Sequence, residues 1–210
     1  PIFVNALAAA GETFWIGSDA AKGAAGIYAV SEGGRIGRIA APTGNVFAVE
    51  ANEGGLWAGT ERSGLFHIAD AKLKKAYTFE NTSGGLRSDT IFTLFTDREG
   101  VVWIGTNRGV SRFDSSGPSQ QTVSDSPNGN FIRTLFRSTT GSIYAGSNRG
   151  LFRQDGDKWA PVPAYGSAPI YALGEDKGGK LIVGTGQRTA DAADIRALAD
   201  FQGAKYAAVS

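Results

Sequence analysis

Three arginines occupy one recurring turn: Glu61-Arg62-Ser63-Gly64, Asn107-Arg108-Gly109 and Asn148-Arg149-Gly150. A guanidinium is planar, always charged, and can grip two oxygens of a carboxylate or sulfate at once. Three of them at equivalent positions, with Arg87, Ser88, Asp89 and Asn130 on the adjoining connections, could hold a carboxylate, a sulfate or a sugar acid. The plainer role for any one arginine is a solvated turn residue, or an ion pair with an acid of the next repeat. Asn107 and Asn148 supply turn geometry before they supply ligand contacts. The candidate ligand-binding set is Arg62, Arg87, Asp89, Asn107, Arg108, Asn130, Asn148 and Arg149.

Other chemistries find fewer residues. The carboxylates near the repeated strands are Glu50, Asp89, Asp97, Glu99, Asp125, Glu175 and Asp176. No spacing forces two of them together, so no glycosidase pair is visible. Asp97 and Asp176 stand where a turn wants a structural aspartate. His67 is the only histidine; between Phe66 and Ile68 it reads as a half-exposed strand residue rather than a general base. Cysteine is absent, which removes disulfides, thiolate metal sites and cysteine nucleophiles. No metal site, phosphate loop, dinucleotide fingerprint or calcium loop is present, and no cofactor is expected. Lys and Arg number 21 against 20 Asp and Glu, so no basic excess points to nucleic acid. The apolar stretches are far too short to span a bilayer as a helix.

These residues must be positioned by a repeat. Five segments align: Gly11-Glu-Thr-Phe-Trp15-Ile-Gly17-Ser18, Gly54-Gly-Leu-Trp57-Ala-Gly59-Thr60, Gly100-Val-Val-Trp103-Ile-Gly105-Thr106, Gly141-Ser-Ile-Tyr144-Ala-Gly146-Ser147 and Gly179-Lys-Leu-Ile182-Val-Gly184-Thr185. The steps between them are 42, 46, 41 and 38 residues, a period that fits four short strands with turns. An alternating run precedes each copy, as in Thr90–Phe95 and Phe131–Phe136, and a third and a weaker fourth strand follow, the fourth strand of the third copy being expected at Gln120–Val123. Four antiparallel strands repeated radially make a β-propeller. Blades are expected at 1–41, 45–79, 89–124 and 130–163, with a partial or irregular fifth at 169–185. Residues 186–210 are expected to be irregular, with a short helix from Thr189 to Phe201 and a strand at Lys205–Val209. The expected whole is an all-β fragment of a larger propeller; the rival is a closed five-bladed ring whose last blade is irregular or completed by the N-terminus.

Trp15, Trp57, Trp103 and Tyr144 share one structural position, and Gly17, Gly59, Gly105, Gly146 and Gly184 another. Rings that recur in every blade are assigned to packing between blades. Trp159, Tyr165 and Tyr171 lie outside that register; they read as exposed aromatics near a connection, or as cover for a blade edge.

The stretch Gly85-Leu-Arg-Ser-Asp89-Thr-Ile91-Phe-Thr-Leu94-Phe-Thr-Asp97-Arg-Glu-Gly100-Val-Val-Trp103-Ile-Gly105-Thr106-Asn-Arg-Gly109-Val-Ser-Arg-Phe113 resembles the two-component regulator propeller repeat. The resemblance implies a ligand-sensing, non-catalytic propeller of a bacterial signalling receptor. It further implies a periplasmic or extracytoplasmic place, a downstream signalling domain in the full-length protein, and a dimer as one arrangement. An oligosaccharide or small anionic molecule would be the ligand. Two alternatives stand beside it: a propeller enzyme of the lyase or glycan-cleaving type, and a protein-interaction scaffold.

Overall fold

The computed structural model describes residues 3–10, 13–19, 26–31, 33–52, 55–114 and 117–185, together with the backbone of 195–201 and 204–209. The first sheet is β1 (Val4–Ala10), β2 (Thr13–Ser18), β3 (Ile27–Val30) and β4 (Ile36–Ala40). The second is β5 (Val46–Asn52), β6 (Gly55–Thr60), β7 (Leu65–Ala69) and β8 (Lys72–Tyr77). The third is β9 (Ile91–Thr96), β10 (Val102–Thr106), β11 (Gly109–Asp114) and β12 (Gly117–Gln121). The fourth is β13 (Ile132–Arg137), β14 (Ile143–Ser147), β15 (Gly150–Asp155) and β16 (Lys158–Pro161). Each is an antiparallel meander in chain order. Two hairpins follow, β17 (Ile170–Glu175) with β18 (Leu181–Thr185), and β19 (Ile195–Phe201) with β20 (Ala204–Val209). The fold is an all-β propeller.

The chain divides into two compact units, residues 1–106 with 111–120, and 107–110 with 121–210. In the first unit β1 lies beside β5 and β5 beside β9; in the second β13 lies beside β17 and β17 beside β19. First strands therefore neighbour first strands. One core of the first unit joins Trp15, Ile27, Val46, Leu56, Ala58, Phe66 and Ile68. Another joins Trp57, Leu65, Leu86, Ile91, Val102 and Ile104, with Tyr77, Leu94 and Phe113 against it. The second unit packs Leu151, Ile170 and Leu173 with Phe136, Tyr144 and Val183. Trp15, Trp57 and Trp103 are buried.

The repeated Gly-Thr/Ser pair has a mechanical reason. A Cβ on Gly17 would lie 2.6 Å from Val46 Cγ1, and one on Gly146 would lie 2.7 Å from Ile170 Cγ2. The bare backbone lets the next first strand seat a fully buried β-branched residue against it. The hydroxyl that follows then braces the next turn. Thr60 Oγ1 donates to the Gly64 carbonyl at 2.8 Å and accepts the Ser63 N–H at 2.8 Å. Ser147 Oγ donates to the Gly150 carbonyl at 3.1 Å and accepts the Arg149 N–H at 2.9 Å. These buried hydroxyls hold the turns that carry Arg62 and Arg149.

The end of the chain departs from its sequence-based expectation. Residues 195–201 form strand β19, not the end of a helix; residues 186–194 lie outside the described residues. Ile195, Leu198 and Phe201 fit a helical face, and alanine favours a helix, but seven residues cannot settle the period alone. Pairing with β20 decides it. The register repeats that of the earlier hairpins: Ala199 opposes Tyr206 as Phe136 opposes Tyr144. Gly203-Ala-Lys-Tyr206 is thus a sixth copy of the repeat motif, closer to its predecessor than the other copies are. The fourth strand of the third sheet also sits earlier, at Gly117–Gln121 rather than Gln120–Val123.

Candidate functional site

Every first hairpin carries the same irregularity. The register slips between Val4 and Ala6, Val46 and Ala48, Ile132 and Thr134, Ile170 and Ala172, and Ile195 and Ala197. In the third sheet Thr93 opposes Gly105 and Ile91 opposes Thr106. One residue of each first strand therefore has no partner across the ladder: Asn5, Phe47, Phe92, Arg133, Tyr171 and Arg196. A β-bulge re-aims the side chain it frees.

Four of these side chains meet in two pairs, one in each unit. Phe47 stacks on Phe92 with ring centroids 5.5 Å apart and planes at 14°. In the second unit the Arg133 guanidinium lies 4.6 Å from the Tyr171 ring centroid and 5.2 Å from that of Phe131. Its Nε donates to Asn148 Oδ1. Two rings and one amide thus contact this guanidinium. Asn148 is tied down in turn, because its N–H donates to the Phe131 carbonyl at 3.1 Å. Arg149, next in the chain, is exposed.

The other candidates divide into two groups. Arg62 is exposed and pairs with Glu61 at 3.5 Å, a surface pair worth little. Arg108 is also exposed. Arg87 is half-buried; its N–H donates to Ser111 Oγ at 2.8 Å and its Nη1 to Gln120 Oε1. Asn130 spends its polar atoms on the backbone, and Asp89 spends one carboxylate oxygen there. Asp89 Oδ1 accepts the Phe79 N–H at 2.6 Å. Asn130 is buried, accepts the Val123 N–H at 2.8 Å and the Ser124 N–H at 3.1 Å, and donates to the carbonyls of Ser126 and Ser124. Asn107 Oδ1 is buried with no hydrogen-bond partner among the described residues. The structure thus brings Asn148 to Arg133. A polar residue interrupting the apolar run Phe131-Ile132-Arg133-Thr134 was its one signal in the sequence.

A second concave feature lies in the first unit. A cavity of about 900 Å³ is lined by Glu50, Trp57, His67, Phe113, Asp114 and the turn from Thr96 to Val102. Glu50 opposes Trp57, and Trp57 opposes His67, so the three share one face across β5, β6 and β7. The His67 ring stacks on Trp57 at 4.3 Å and 17°, and Phe113 tilts against Trp57 at 4.9 Å. Asp97 belongs to its own turn: Oδ1 accepts the N–H groups of Glu99 (3.1 Å) and Val101 (2.9 Å), and Oδ2 accepts the Trp103 indole N–H at 2.7 Å. Asp176 holds the matching turn, accepting from Gly178 at 2.8 Å and Lys180 at 2.9 Å. Asp114 pairs with Arg112 at 3.3 Å. Among the described residues no group of three or more acidic or histidine side chains could hold a metal ion, and no helix is long and apolar enough to cross a membrane.

Burial pushes the Glu50 carboxyl above its ordinary pKa, against the hydrogen bond it accepts from the Thr96 N–H at 2.9 Å. A carboxyl whose folded pKa is raised stabilises the fold below the unfolded pKa. That contribution is lost as the pH rises through the folded value. Glu50→Gln is therefore expected to melt higher than the wild type at pH 7–8, with the difference vanishing at or below pH 4. Melting curves of the two proteins across that range check it; a Glu50→Gln that melts lower at neutral pH would contradict it.

Comparison with known proteins places these features. Residues 85–108 match the two component regulator propeller family model. The same fold occurs in the extracellular domain assigned to the hybrid two component system BT4673 of B. thetaiotaomicron, with TM-score 0.79 and 16% identity. It occurs again in that of BT3049 from the same organism, with TM-score 0.78 and 18% identity. The alignments cover 98% of this chain in both cases, but only 31% and 32% of those proteins' chains, so this chain spans about a third of their length. Virginiamycin B lyase from Staphylococcus aureus aligns with TM-score 0.70 and 12% identity over 93% of this chain and 73% of the lyase. No curated protein sequence matches. The class is a β-propeller, in which residues 85–108 are similar to the two component regulator propeller repeat.

Proposed function

We propose that this chain is part of the ligand-sensing propeller of a two-component-type signalling receptor, outside the cytoplasmic membrane and coupled to a downstream signalling domain. It binds an acidic oligosaccharide or a small organic anion without chemical change. The repeat at 85–108 and the shared fold with extracellular domains of hybrid two-component systems support the sensor reading. The observation that carries the ligand class is Arg133, a guanidinium 4.6 Å from the Tyr171 ring centroid and 5.2 Å from that of Phe131, hydrogen-bonded to Asn148. Its Nη groups have no hydrogen-bond partner among the described residues. A planar cation already ordered loses little entropy when a carboxylate or sulfate docks. Arg149, next in the chain to Asn148, adds charge, and Tyr171 offers a ring to a sugar face. Signalling then follows from population shift: the ligand favours one arrangement of the receptor over another.

The test is a thermal-shift panel of neutral oligosaccharides, uronic-acid oligomers and small acids. A ligand of the native state raises the melting temperature by mass action. Uronic-acid oligomers are expected to raise it, Arg133→Ala to abolish the rise, and Arg149→Ala to weaken it. The ligand should be recovered intact by mass spectrometry. A cleaved ligand would move the reading to an enzyme. A panel silent for both this chain and its full-length protein would favour an interaction scaffold.

A further inference from the structure

The carboxylate-lined cavity of the first unit has a chemistry opposite to that of the Arg133 site. Its size falls in the ~300–1,000 Å³ range of small-molecule sites. Its lining carries Glu50, Asp97, Glu99 and Asp114 against a single arginine, Arg98. Asp97 is consumed by its turn and Asp114 is paired with Arg112. Glu50 is half-buried, and the hydrogen bonds to its carboxyl come from one residue, Thr96. Thr96 lies on the same wall, and its side chain as well as its N–H acts on the Glu50 carboxyl. Beside Glu50 stand the stacked rings of Trp57 and His67, with Phe113 against them.

We propose that this cavity binds an ammonium-bearing ligand of sugar size, an amino sugar or a short oligomer of one. The ammonium ion docks at Glu50, with Glu99 adding negative potential from the turn. A positive group beside aromatic faces gains cation–π attraction as well as the Coulomb term. The excess of carboxylates disfavours the acidic ligands that suit Arg133, so the chain holds two sites of opposite selectivity. The proposal does not depend on the sensor reading.

His67 makes the test specific, because the protein has one histidine and its imidazole Cε1–H gives a single NMR signal. The probes are a glucosamine trimer, its N-acetylated and hence uncharged counterpart, and a galacturonic-acid trimer, each at constant pH and ionic strength. The glucosamine trimer is expected to shift the His67 signal saturably. The N-acetylated trimer should bind about tenfold more weakly or worse, and the galacturonic-acid trimer should leave the signal unmoved. Glu50→Gln keeps the shape and the acceptor for Thr96 and should weaken the glucosamine trimer about tenfold. Glu99→Gln, in an exposed turn, should weaken it by a smaller factor. Arg133→Ala should leave it unchanged, so failure here and failure of the acidic-ligand reading are separable. No saturable shift at millimolar glucosamine trimer in the folded wild type would overturn the proposal. Equal binding of the N-acetylated trimer, or full binding by both Glu50→Gln and Glu99→Gln, would overturn it as well.

Discussion

Gly146→Ala unfolds more easily than the wild type by about 1–3 kcal/mol, the cost of overpacking a filled interior. The added methyl would meet Thr134 Cγ2 at 2.6 Å, Ile170 Cγ2 at 2.7 Å and Ile170 Cβ at 3.0 Å. Thr134 lies on the strand paired with Gly146, and Ile170 on the first strand of the next hairpin. Both are β-branched, and the crowded atoms sit next to the backbone, so neither can swing aside without moving its strand. Ile170 is fully buried, which closes the remaining exit. Gly37→Ala is the control. It lies in the exposed strand β4 with nothing within 4 Å of its added Cβ, and should change stability by no more than ~0.5 kcal/mol. Denaturant unfolding of the two variants decides the matter. Equal midpoints for Gly146→Ala and wild type would mean that the hairpins do not approach as closely as this register requires.

Asp97→Ala should cost about 3 kcal/mol. Three N–H groups lose a charged acceptor at once, and hydrogen bonds to charged groups are each worth roughly 1.5–3 kcal/mol with incomplete additivity. Two of the donors are backbone groups of the turn, which water can partly satisfy after the change. The third is the indole N–H of Trp103, whose residue is only 3% exposed. Asp97→Asn should recover only part of the loss, since an amide offers one acceptor oxygen where the carboxylate uses two. Asp176→Ala should cost less than Asp97→Ala, because Ile182 stands where Trp103 stands and brings no indole. The unfolding midpoints of the three variants give the order. An Asp176→Ala as damaging as Asp97→Ala would show that the indole hydrogen bond contributes nothing.

The inner hairpins were legible because two local signals agree on them. Alternation marks the first strand, and the Trp-x-Gly-Thr pattern marks the second. Outer strands carry less of either. β12, for instance, reads Gly-Pro-Ser-Gln-Gln, and its position slips by a few residues between expectation and structure. The sixth hairpin was hidden by alanine, which suits a helix locally and loses to strand pairing once a partner is present. The site was less legible than the fold for a different reason. Residue type picked out Asp89 and Asn130, but both bond to the backbone. Arg133 was passed over because simple alternation hides what a bulge does. Where one residue drops out of the ladder, the side chain it carries is re-aimed, here to Tyr171, which follows 38 positions later. Glu50 and His67 meet at one cavity only through the register of β5, β6 and β7.

The central claim is that Arg133 recognises an acidic ligand through a pre-ordered planar fork. Calorimetric titration of a uronic-acid oligomer into wild type, Arg133→Lys and Arg133→Ala tests it most directly. Lysine keeps the charge but not the plane, the stacking or the paired donors. The account predicts saturable binding by the wild type, a loss of about tenfold or more for Arg133→Lys, and no measurable binding by Arg133→Ala. Equal affinity for wild type and Arg133→Lys would reduce the site to a point charge. Equal affinity for all three would place the ligand elsewhere and contradict the account.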